Sequence, residues 1–374
     1  MVSADEVRHR LLYMAILARN RLRRVAWAVL ARVPTQASRA LHTTDLVESD
    51  DLSIPPLACQ PGARDNYALH FTGELVIEPH KGWIVAGRTR LIERSMPYHV
   101  WSSAVPYLLA KPSIAAAIGR PARDVGPVAS LRMAWDDNYY HFYNDVLGRL
   151  RLIESVVPPD VPVLITEAMA RQQYVKACIE RGVFGARKVI VQPKKTYLRS
   201  PEVYVVDKPA GDRRDWDYFL DRLDGRGPGS GGRRVLLVRD PARGRSLIND
   251  SEVRDLCRAR GFDVVDTDGW TLDEQIDLFR DVSLVVGVHG AGLSNIAFRR
   301  GGTLSLLELI PPGPFPLSFN AAHESETDYA SLCRYFGFAY SSIVGTINGR
   351  IYKRSQNFSV DPLALAAALD DLER

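Results

Sequence analysis

Cysteine is scarce in this sequence, with only four in 374 residues. The four stand far apart, at Cys59, Cys178, Cys257 and Cys333, and no Cys-x-x-Cys pair occurs. A zinc or dithiol site therefore has no support from the sequence. Isolated cysteines are usually small buried hydrophobic residues in a reducing compartment, so we expect a cytoplasmic protein.

The sequence also has only a small excess of positive over negative charge, since the formal net charge is +4. The exception is the segment 1–40, which carries eight arginines and two acidic residues. Since the rest of the chain is nearly neutral, we expect no nucleic-acid partner, and binding through the arginine arm is the weakest alternative.

A long hydrophobic run is missing from this basic arm. Its apolar stretch at 11–18 is too short for a membrane span, which takes about 20 residues. No small-residue cleavage pattern follows it, so we expect no signal peptide. Residues 7–33 suit a basic amphipathic helix lying peripherally on the inner face of an anionic membrane. A solvated helix that packs on the protein itself is an equal alternative.

The first half of the chain changes its pattern at about residue 126. Residues 50–110 alternate short apolar runs with turn formers, which is typical of a β-meander. Further on, apolar runs alternate with segments of helical periodicity. The predicted strands are 128–131, 161–165, 189–191 and 203–206, and the predicted helices are 139–157 and 167–181.

A glycine-rich segment separates the two halves. Five glycines fall within residues 224–232, and such a stretch holds neither a helix nor a strand. Beyond it, apolar runs alternate with helical patterns, which indicates a parallel sheet covered on both faces. The predicted strands there are 234–238, 262–265, 284–288 and 304–309, and the predicted helices are 250–260, 272–280, 326–336 and one from 292.

These patterns predict an α/β protein with five segments along the chain. They are a basic helical arm at 1–48, an N-terminal α/β domain at 49–222, a linker at 223–232, a C-terminal Rossmann-like domain at 233–350 and a helical segment at 351–374.

One predicted strand runs into the sequence VVGVHGAGLSN, at 285–295. In an open parallel sheet, ligands bind at the carboxyl ends of the strands. Because Gly290 and Gly292 have no side chains, backbone amides and a helix N-terminus can approach an anion closely. A tight strand-to-helix turn that needs glycine for packing is the alternative.

Two further groups of residues suggest chemistry. His141 and Asp145 stand four apart on a predicted helix, where a carboxylate can orient an imidazole as a general base requires. Arg239, Arg243 and Arg245 follow a strand, and guanidinium groups bind diphosphates bidentately. A surface His–Asp pair on a capped helix and a solvated basic loop are the respective alternatives.

Acidic side chains stand at or just past the ends of two predicted strands. Glu308 ends one strand and is placed either to accept hydrogen bonds from a ribose or to cap a nearby loop. Asp266-Thr267-Asp268 has the form of a metal-binding Asp-x-Asp motif, but any acidic loop supplies that pattern. We therefore expect no metal.

Taken together and in order, these segments resemble glycosyltransferase family 61, the capsular polysaccharide type, over about residues 126–345. The family usually has Glu where this chain has Asp250, and often has a basic residue where it has Ser246. The matching positions are Asn138, His141, Asp145, Arg239, 249–250, 275–279, 289–295 and 308–311.

The resemblance implies a GT-B-like architecture, in which two Rossmann-like domains face each other across a cleft. It implies that the domain at 49–222 is the acceptor side and that the domain at 233–350 binds the nucleotide-sugar. It implies an inverting transfer from a nucleotide-sugar, UDP-linked in our expectation, without a cofactor or an obligatory metal. The acceptor is then a glycan or glycolipid of surface polysaccharide biosynthesis. The alternative is a non-catalytic nucleotide-sugar binder or assembly scaffold.

Roles for individual residues follow from the resemblance. His141 is the candidate base, oriented by Asp145, and Asp145 acting directly is the variant of this hypothesis. Asn138 lies on the acceptor side. The residues expected to bind the donor are Arg239, Arg243 or Arg245, His289, Gly290, Ala291, Gly292, Leu293, Asn295 and Glu308.

Overall fold

The computed structural model describes residues 48–52, 67–79, 82–86, 90–92, 95, 122–133, 135–207, 211–241, 244–312, 327–347 and 357–373. The predicted basic arm (apart from its last residue), Cys59 and Arg243 lie outside these residues. The chain divides into two compact units. The first contains 1–137 and 145–209, and the second contains 138–144 and 210–374.

Among the described residues of the first unit, nine strands form one mixed sheet, in the order β4-β3-β2-β9-β6-β7-β8 with β1 on β2 and β5 on β9. Consecutive antiparallel pairing of β2, β3 and β4 confirms the predicted meander. The strands are β1 (Glu48–Leu52), β2 (Tyr67–Ile77), β3 (Ile84–Ala86), β4 (Arg90–Ile92), β5 (Ala122–Asp124), β6 (Val128–Ser130), β7 (Val163–Thr166), β8 (Val189–Gln192) and β9 (Tyr197–Asp207).

Strand β9 joins the two halves of this sheet, because it runs antiparallel to β2 and parallel to β6. Strands β6, β7 and β8 are also mutually parallel, so their carboxyl ends share one edge. Leu69, Phe71 and Val203 belong to the buried core of this sheet. The unit therefore has a parallel edge of the kind at which ligands bind.

The predicted helix 139–157 is interrupted by a π-helical turn. It forms as α1 (Tyr139–His141), a π-helical segment (Phe142–Val146) and α2 (Leu147–Val156). The predicted helix 167–181 is likewise divided, into α3 (Glu167–Arg171) and α4 (Gln173–Glu180), because Gln172 adopts an extended backbone. Thr166 caps α3 by accepting a hydrogen bond from the amide of Met169.

The second unit has a sheet of five parallel strands among its described residues, in the order β11-β10-β12-β13-β14. The predicted α/β class with a parallel sheet is confirmed. The strands are β10 (Arg233–Leu237), β11 (Asp263–Val265), β12 (Val282–Val288), β13 (Ser305–Ile310) and β14 (Ala339–Val344). The helices are α5 (Arg213–Leu223), α6 (Asp250–Ala259), α7 (Leu272–Arg280), a 3₁₀ helix (Ala291–Arg299), α8 (Asp328–Phe336) and α9 (Pro362–Leu372).

Helix α5 precedes the glycine-rich segment yet belongs to the second unit. Its Trp216 and Phe219 stack on Tyr143, and the Tyr335 hydroxyl donates to the carbonyl of Gly211 at 2.9 Å. At the other end of the chain, Leu365 of α9 is fully buried in the core of the parallel sheet. Residues on both sides of the sequence-predicted boundaries therefore contribute to one unit.

The strand order of the second sheet has a reversal between β10 and β12. In chain order the strands are arranged 2-1-3-4-5, so the chain leaves β10 toward one side of the sheet and reaches β12 on the other. In doubly wound sheets, ligands typically bind at the carboxyl ends of such a strand pair. No helix among the described residues is long and apolar enough to cross a membrane.

Gly287 tests how tightly this strand pair is packed. It pairs with Leu237 of β10, and a Cβ added to it would lie 2.8 Å from Leu293 Cδ2 and 3.3 Å from Leu237 Cβ. We expect Gly287→Ala to lower the free energy of unfolding by about 1–3 kcal/mol through overpacking. Denaturant titration measures this. Gly232→Ala is the control, since an added Cβ there meets nothing within 4 Å, and an equal loss in both variants would contradict the packing argument.

Candidate functional site

The loops after β10 and β12 bring arginines to the glycine-rich turn. Arg245 donates from Nη1 to the carbonyl oxygen of His289 at 3.2 Å. A Cβ on Gly290 would lie 2.6 Å from Nη1 of Arg239, so glycine is what allows that guanidinium group to lie against the turn. Burial lowers the pKa of Arg245 from its ordinary value. The predicted Arg243 lies outside the described residues.

The glycine-rich turn ends where the 3₁₀ helix begins. The amide of Leu293 closes the first helical turn on the carbonyl of Gly290 at 3.0 Å, and its side chain is fully buried. The amides of Ala291 and Gly292 precede this bond and have no acceptor inside the helix, because the first turn of a helix leaves its donors unpaired there. These two amides are the ones placed for an anion.

A fully buried carboxylate holds the histidine of this turn. Nδ1 of His289 lies 2.5 Å from Oε1 of Glu308. The other oxygen, Oε2, accepts hydrogen bonds from the hydroxyls of Thr327 at 2.7 Å and Tyr340 at 2.8 Å. Both oxygens of Glu308 therefore form hydrogen bonds with protein groups. These contacts fit the expectation that Glu308 holds a nearby loop, rather than the expectation that it accepts hydrogen bonds from a ribose. Nδ1 faces the carboxylate, so Nε2 is the ring nitrogen directed away from it.

Asn295 is fully buried and connects three elements. Its Oδ1 accepts from the Tyr139 hydroxyl at 2.6 Å, and its Nδ2 donates to Oε1 of Gln275 at 2.8 Å. Tyr139 begins α1, so this bond ties the start of the Asn-x-x-His segment to the 3₁₀ helix. Burying an amide costs free energy unless both of its ends are hydrogen-bonded, as they are here.

The segment with the candidate base therefore belongs to the same unit as the glycine-rich turn. Asn138 caps α1 by accepting from the amides of Tyr140 and His141 at 3.0 and 3.3 Å. Aromatic contacts continue from His141 to Tyr140 (5.6 Å between ring centroids), from Tyr140 to Tyr329 (5.5 Å) and from Tyr329 to His289 (5.3 Å). Two motifs that are far apart in sequence are thus joined through Tyr329.

Tyr329 is a site residue that the sequence analysis missed. Burial raises its pKa well above the ordinary value, and the carboxylates of Asp328 and Glu308 raise it further against the opposing effect of Arg245 and Arg239. The side chain is therefore a neutral hydroxyl at physiological pH. Thr327, Tyr340 and Tyr139 were missed as well; the only signal in the sequence was the tyrosine pair beside His141.

Asp145, the predicted partner of His141, belongs to the first unit and is almost fully buried. The hydrogen bond between the two side chains stays a prediction. The Asp266-Thr267-Asp268 segment, from which we expected no metal site, forms a turn in which the carboxylate of Asp266 accepts a hydrogen bond from the amide of Asp268 at 2.9 Å. Within the described part of the chain, no group of three or more His, Cys, Asp or Glu residues is arranged to hold a metal ion.

The parallel edge of the first unit carries a buried ionic group that the sequence analysis did not identify. Arg132, just after β6, donates to the carbonyl oxygens of Glu78 at 2.6 Å and Pro79 at 2.8 Å. Asp136 accepts from the amide of Met133 and the hydroxyl of Thr166, each at 3.3 Å. Burial raises the pKa of Asp136 to about 6, against the opposing charge of Arg132.

This raised pKa predicts a pH dependence of stability. A carboxyl group that titrates near 6 in the folded state and near 3.8 when unfolded stabilises the fold below about pH 4. That contribution is lost as the pH rises through about 6. Relative to Asp136→Asn, the free energy of unfolding of the wild type should therefore fall by about 2 kcal/mol between pH 4 and pH 7. Denaturant titration across this range measures it.

A second variant separates titration from packing. Thr166→Val removes a hydrogen bond that favours the charged form of Asp136, so the midpoint of the pH dependence should move upward. If the difference in the free energy of unfolding between the wild type and Asp136→Asn did not change with pH, the raised pKa of Asp136 would be contradicted.

Comparison with known proteins shows which family and which solved structure this chain is similar to. Residues 139–306 match the family model of Glycosyltransferase 61. No curated protein matches the chain. A solved structure, the bacterial iron-containing dodecameric glycosyltransferase TibC from enterotoxigenic E. coli H10407, aligns over 86% of this chain and 99% of its own, at 11% identity and a TM-score of 0.37. The family match establishes that the chain is a glycosyltransferase whose residues 139–306 belong to glycosyltransferase family 61.

Proposed function

We propose that this glycosyltransferase moves a sugar, with inversion, from a UDP-linked donor to a hydroxyl group of a glycan or glycolipid acceptor in surface polysaccharide or capsule biosynthesis. The observation that carries the proposal is the meeting of Arg239, Arg245 and the glycine-rich turn at the carboxyl ends of β10 and β12. That arrangement supplies fixed positive charge and open amides where a doubly wound sheet binds its ligand.

The leaving diphosphate is the group that needs this positive charge. As the bond between sugar and phosphate breaks, negative charge develops on the departing oxygen. Guanidinium groups of Arg239 and Arg245 bind phosphate oxygens bidentately, and the amides of Ala291 and Gly292 add two directional donors. These groups replace the charge of a metal ion, so we propose a transfer that requires no metal.

Glu308 acts on the donor through His289. Its Oε1 holds Nδ1, and the backbone amide of His289 donates to the carbonyl of Leu309 at 2.9 Å, so both the ring and the main chain are held. The remaining nitrogen, Nε2, is then directed toward the departing diphosphate. A side chain held in this way needs no reorganisation when charge develops.

An inverting displacement also needs a base for the acceptor hydroxyl. We propose His141, which the Asn138 cap and the Tyr139–Asn295 hydrogen bond keep on the unit that holds the glycine-rich turn. Asp145 orients the imidazole in this proposal, and direct action of Asp145 is its variant. Asn138 then lies on the acceptor side.

The family resemblance supports the wider arrangement. Each unit contains parallel strands flanked by helices, which is compatible with a GT-B architecture. We propose a cytoplasmic enzyme that uses its basic residues 7–33 for peripheral contact with an anionic membrane, since the lipid-linked acceptors of such pathways lie there.

Glu308→Gln tests the role of the buried carboxylate. An uncharged amide no longer holds Nδ1 of His289 by a charge-assisted hydrogen bond, so we expect the affinity for UDP to fall about tenfold. Isothermal calorimetry measures this. Tyr340→Phe is the matched variant, because it removes one donor to Oε2 and leaves the contact with His289 in place.

Tyr340→Phe should lower the free energy of unfolding by about 1 kcal/mol. It should lower the affinity for UDP less than Glu308→Gln does. Equal losses of affinity in the two variants would show that Glu308 is structural and does not act through His289.

His141→Ala and Asp145→Asn test the assigned base. The assay incubates the wild type with a panel of UDP- and GDP-sugars and glycan acceptors and measures the nucleotide that is released. The wild type should show turnover with at least one donor. Each variant should lose at least about a hundredfold in kcat, the usual contribution of general base catalysis, while nucleotide still binds. Full turnover in both variants would remove the assignment. Nucleotide binding without any transfer by the wild type would favour a non-catalytic binder.

A further inference from the structure

Arg245 has a backbone conformation that its side chain disfavours. Its φ is 61°, and Gly244 before it has a φ of 69°, so two consecutive residues lie in the left-handed region. Only glycine enters this region freely, and a residue with a side chain stays there when its surroundings determine the conformation. Other contacts must therefore hold Arg245 in the position from which its guanidinium group reaches the carbonyl of His289.

A segment near the end of the chain supplies such contacts. Residues 357–360, which we call the strap, lie parallel to the loop after β10, with a bridge between Leu247 and Phe358. The amide of Ile248 donates to the carbonyl of Phe358 at 2.7 Å, and the amide of Phe358 donates to the carbonyl of Ser246 at 3.2 Å. The strap thus pairs with this loop as a neighbouring strand does.

Two asparagine side chains join the strap to the same loop. The side-chain oxygen of Asn249 accepts from the amide of Val360 at 3.1 Å, and its Nδ2 donates to the carbonyl of Val360 at 2.8 Å. From the strap, the side-chain oxygen of Asn357 accepts from the amide of Ser246 at 3.1 Å. Since Ser246 directly follows Arg245, the strap holds the backbone at the point where the chain leaves the left-handed conformation.

The strap itself has a fixed place in the fold. Phe358 and Val360 are almost fully buried in the core of the parallel sheet. The backbone of Ser359 exchanges two hydrogen bonds of 2.8 Å with that of Thr346, which follows β14. A Cβ on Gly345 would clash with the ring of Phe358, so glycine is what allows the strap to lie this close to the end of β14. The arginine loop is therefore held by a segment that belongs to the core.

Asn249 is used in an unusual way for its position. It stands at the N-terminal cap of α6, where an asparagine oxygen normally accepts from an amide of the first turn. Among the described residues, its side chain forms no such bond with α6 amides, because the oxygen accepts from Val360 instead. Its Nδ2 also donates to Oε2 of Glu252 at 3.1 Å. A side chain that served only the stability of the helix would cap it, so the geometry assigns Asn249 to the strap.

We propose that the strap is a positioning element of the donor site and that Asn249 is its principal positioning residue. By joining the strap to the loop after β10, Asn249 holds the left-handed backbone of Arg245 and keeps its guanidinium group on the glycine-rich turn. A group that is fixed before the ligand arrives loses little conformational freedom on binding. The inference rests on the proposed function insofar as Arg245 binds the donor diphosphate.

Asn249→Ala tests this role in the full chain. The variant loses both hydrogen bonds to Val360, so Arg245 is no longer held on the turn, and the affinity for UDP should fall about tenfold by isothermal calorimetry. Asp361→Ala is the matched control, since Asp361 caps α9 directly after the strap by accepting from the amide of Leu363 at 3.0 Å. Both variants should lower the melting temperature by about 2–6 °C, whereas Asp361→Ala should bind UDP like the wild type.

A double-mutant cycle with Arg245→Ala separates positioning from a general loss of stability. If Asn249 acts through Arg245, the double variant binds UDP no more weakly than Arg245→Ala alone. A merely structural Asn249 would instead lower the affinity by the same factor in both backgrounds. Losses that multiply in this way, or UDP binding of wild-type strength in Asn249→Ala, would overturn the proposal.

Hydrogen exchange of the ligand-free protein distinguishes this failure from a failure of the proposed function. Asn249→Ala should speed exchange at the amides of Ser246 and Ile248, which donate to the strap, and Asp361→Ala should not. If Arg245→Ala bound UDP as tightly as the wild type, the proposed donor role of Arg245 would fail, while faster exchange at both amides would still support the hold of the strap on the loop. Unchanged exchange at both amides in Asn249→Ala would show that the strap does not hold the loop.

Discussion

The parallel pairing of β10 with β12 is the constraint on which the proposed donor site depends. Leu237 and Gly287 face each other in the register, so the two strands end at the same edge and their loops emerge side by side. The first loop supplies arginines and the second supplies His289 and the helix start. Nearly fifty residues of the chain separate the arginines after β10 from the glycine-rich turn after β12. The strand pairing is what brings these two groups together.

Burial makes this arrangement rigid. Glu308 lies fully buried with three hydrogen-bonding partners, and Asn295 is fully buried with both ends of its amide engaged. Unsatisfied polar groups in such positions would cost free energy, so each network has one favoured geometry. The cost of the arrangement appears elsewhere, in the left-handed backbone of Arg245. Groups held in this way are suited to stabilising charge that develops during a reaction.

Periodicity alone predicted most of the second sheet, because buried parallel strands are continuous apolar runs between helices. The glycine-rich turn and Arg239 were also evident, since glycine and arginine directly after apolar strands are typical of loops that bind anions. The sequence could not reveal Tyr329, Thr327 or the Tyr139–Asn295 bond. These depend on packing between segments far apart in the chain. The π-helical turn at 142–146 is equally invisible, since its residues carry an ordinary helical pattern.

Packing between distant segments also explains why residues 138–144 belong to the second unit. Their pattern continues into α2 of the first unit, yet Tyr143 stacks on Trp216 and Phe219, and Tyr139 bonds Asn295. Aromatic packing with residues found much later in the sequence decides which unit they join. The candidate base is thereby connected to the element that begins with the amides proposed to bind the diphosphate.

Amide hydrogen exchange with and without UDP determines whether the nucleotide binds where β10 and β12 end, because the exchange rates report which backbone groups the nucleotide covers. We expect slowed exchange at residues 288–293 and 238–241, at the carboxyl ends of β12 and β10. Saturating UDP that protects other segments and leaves these two unchanged would contradict this expectation.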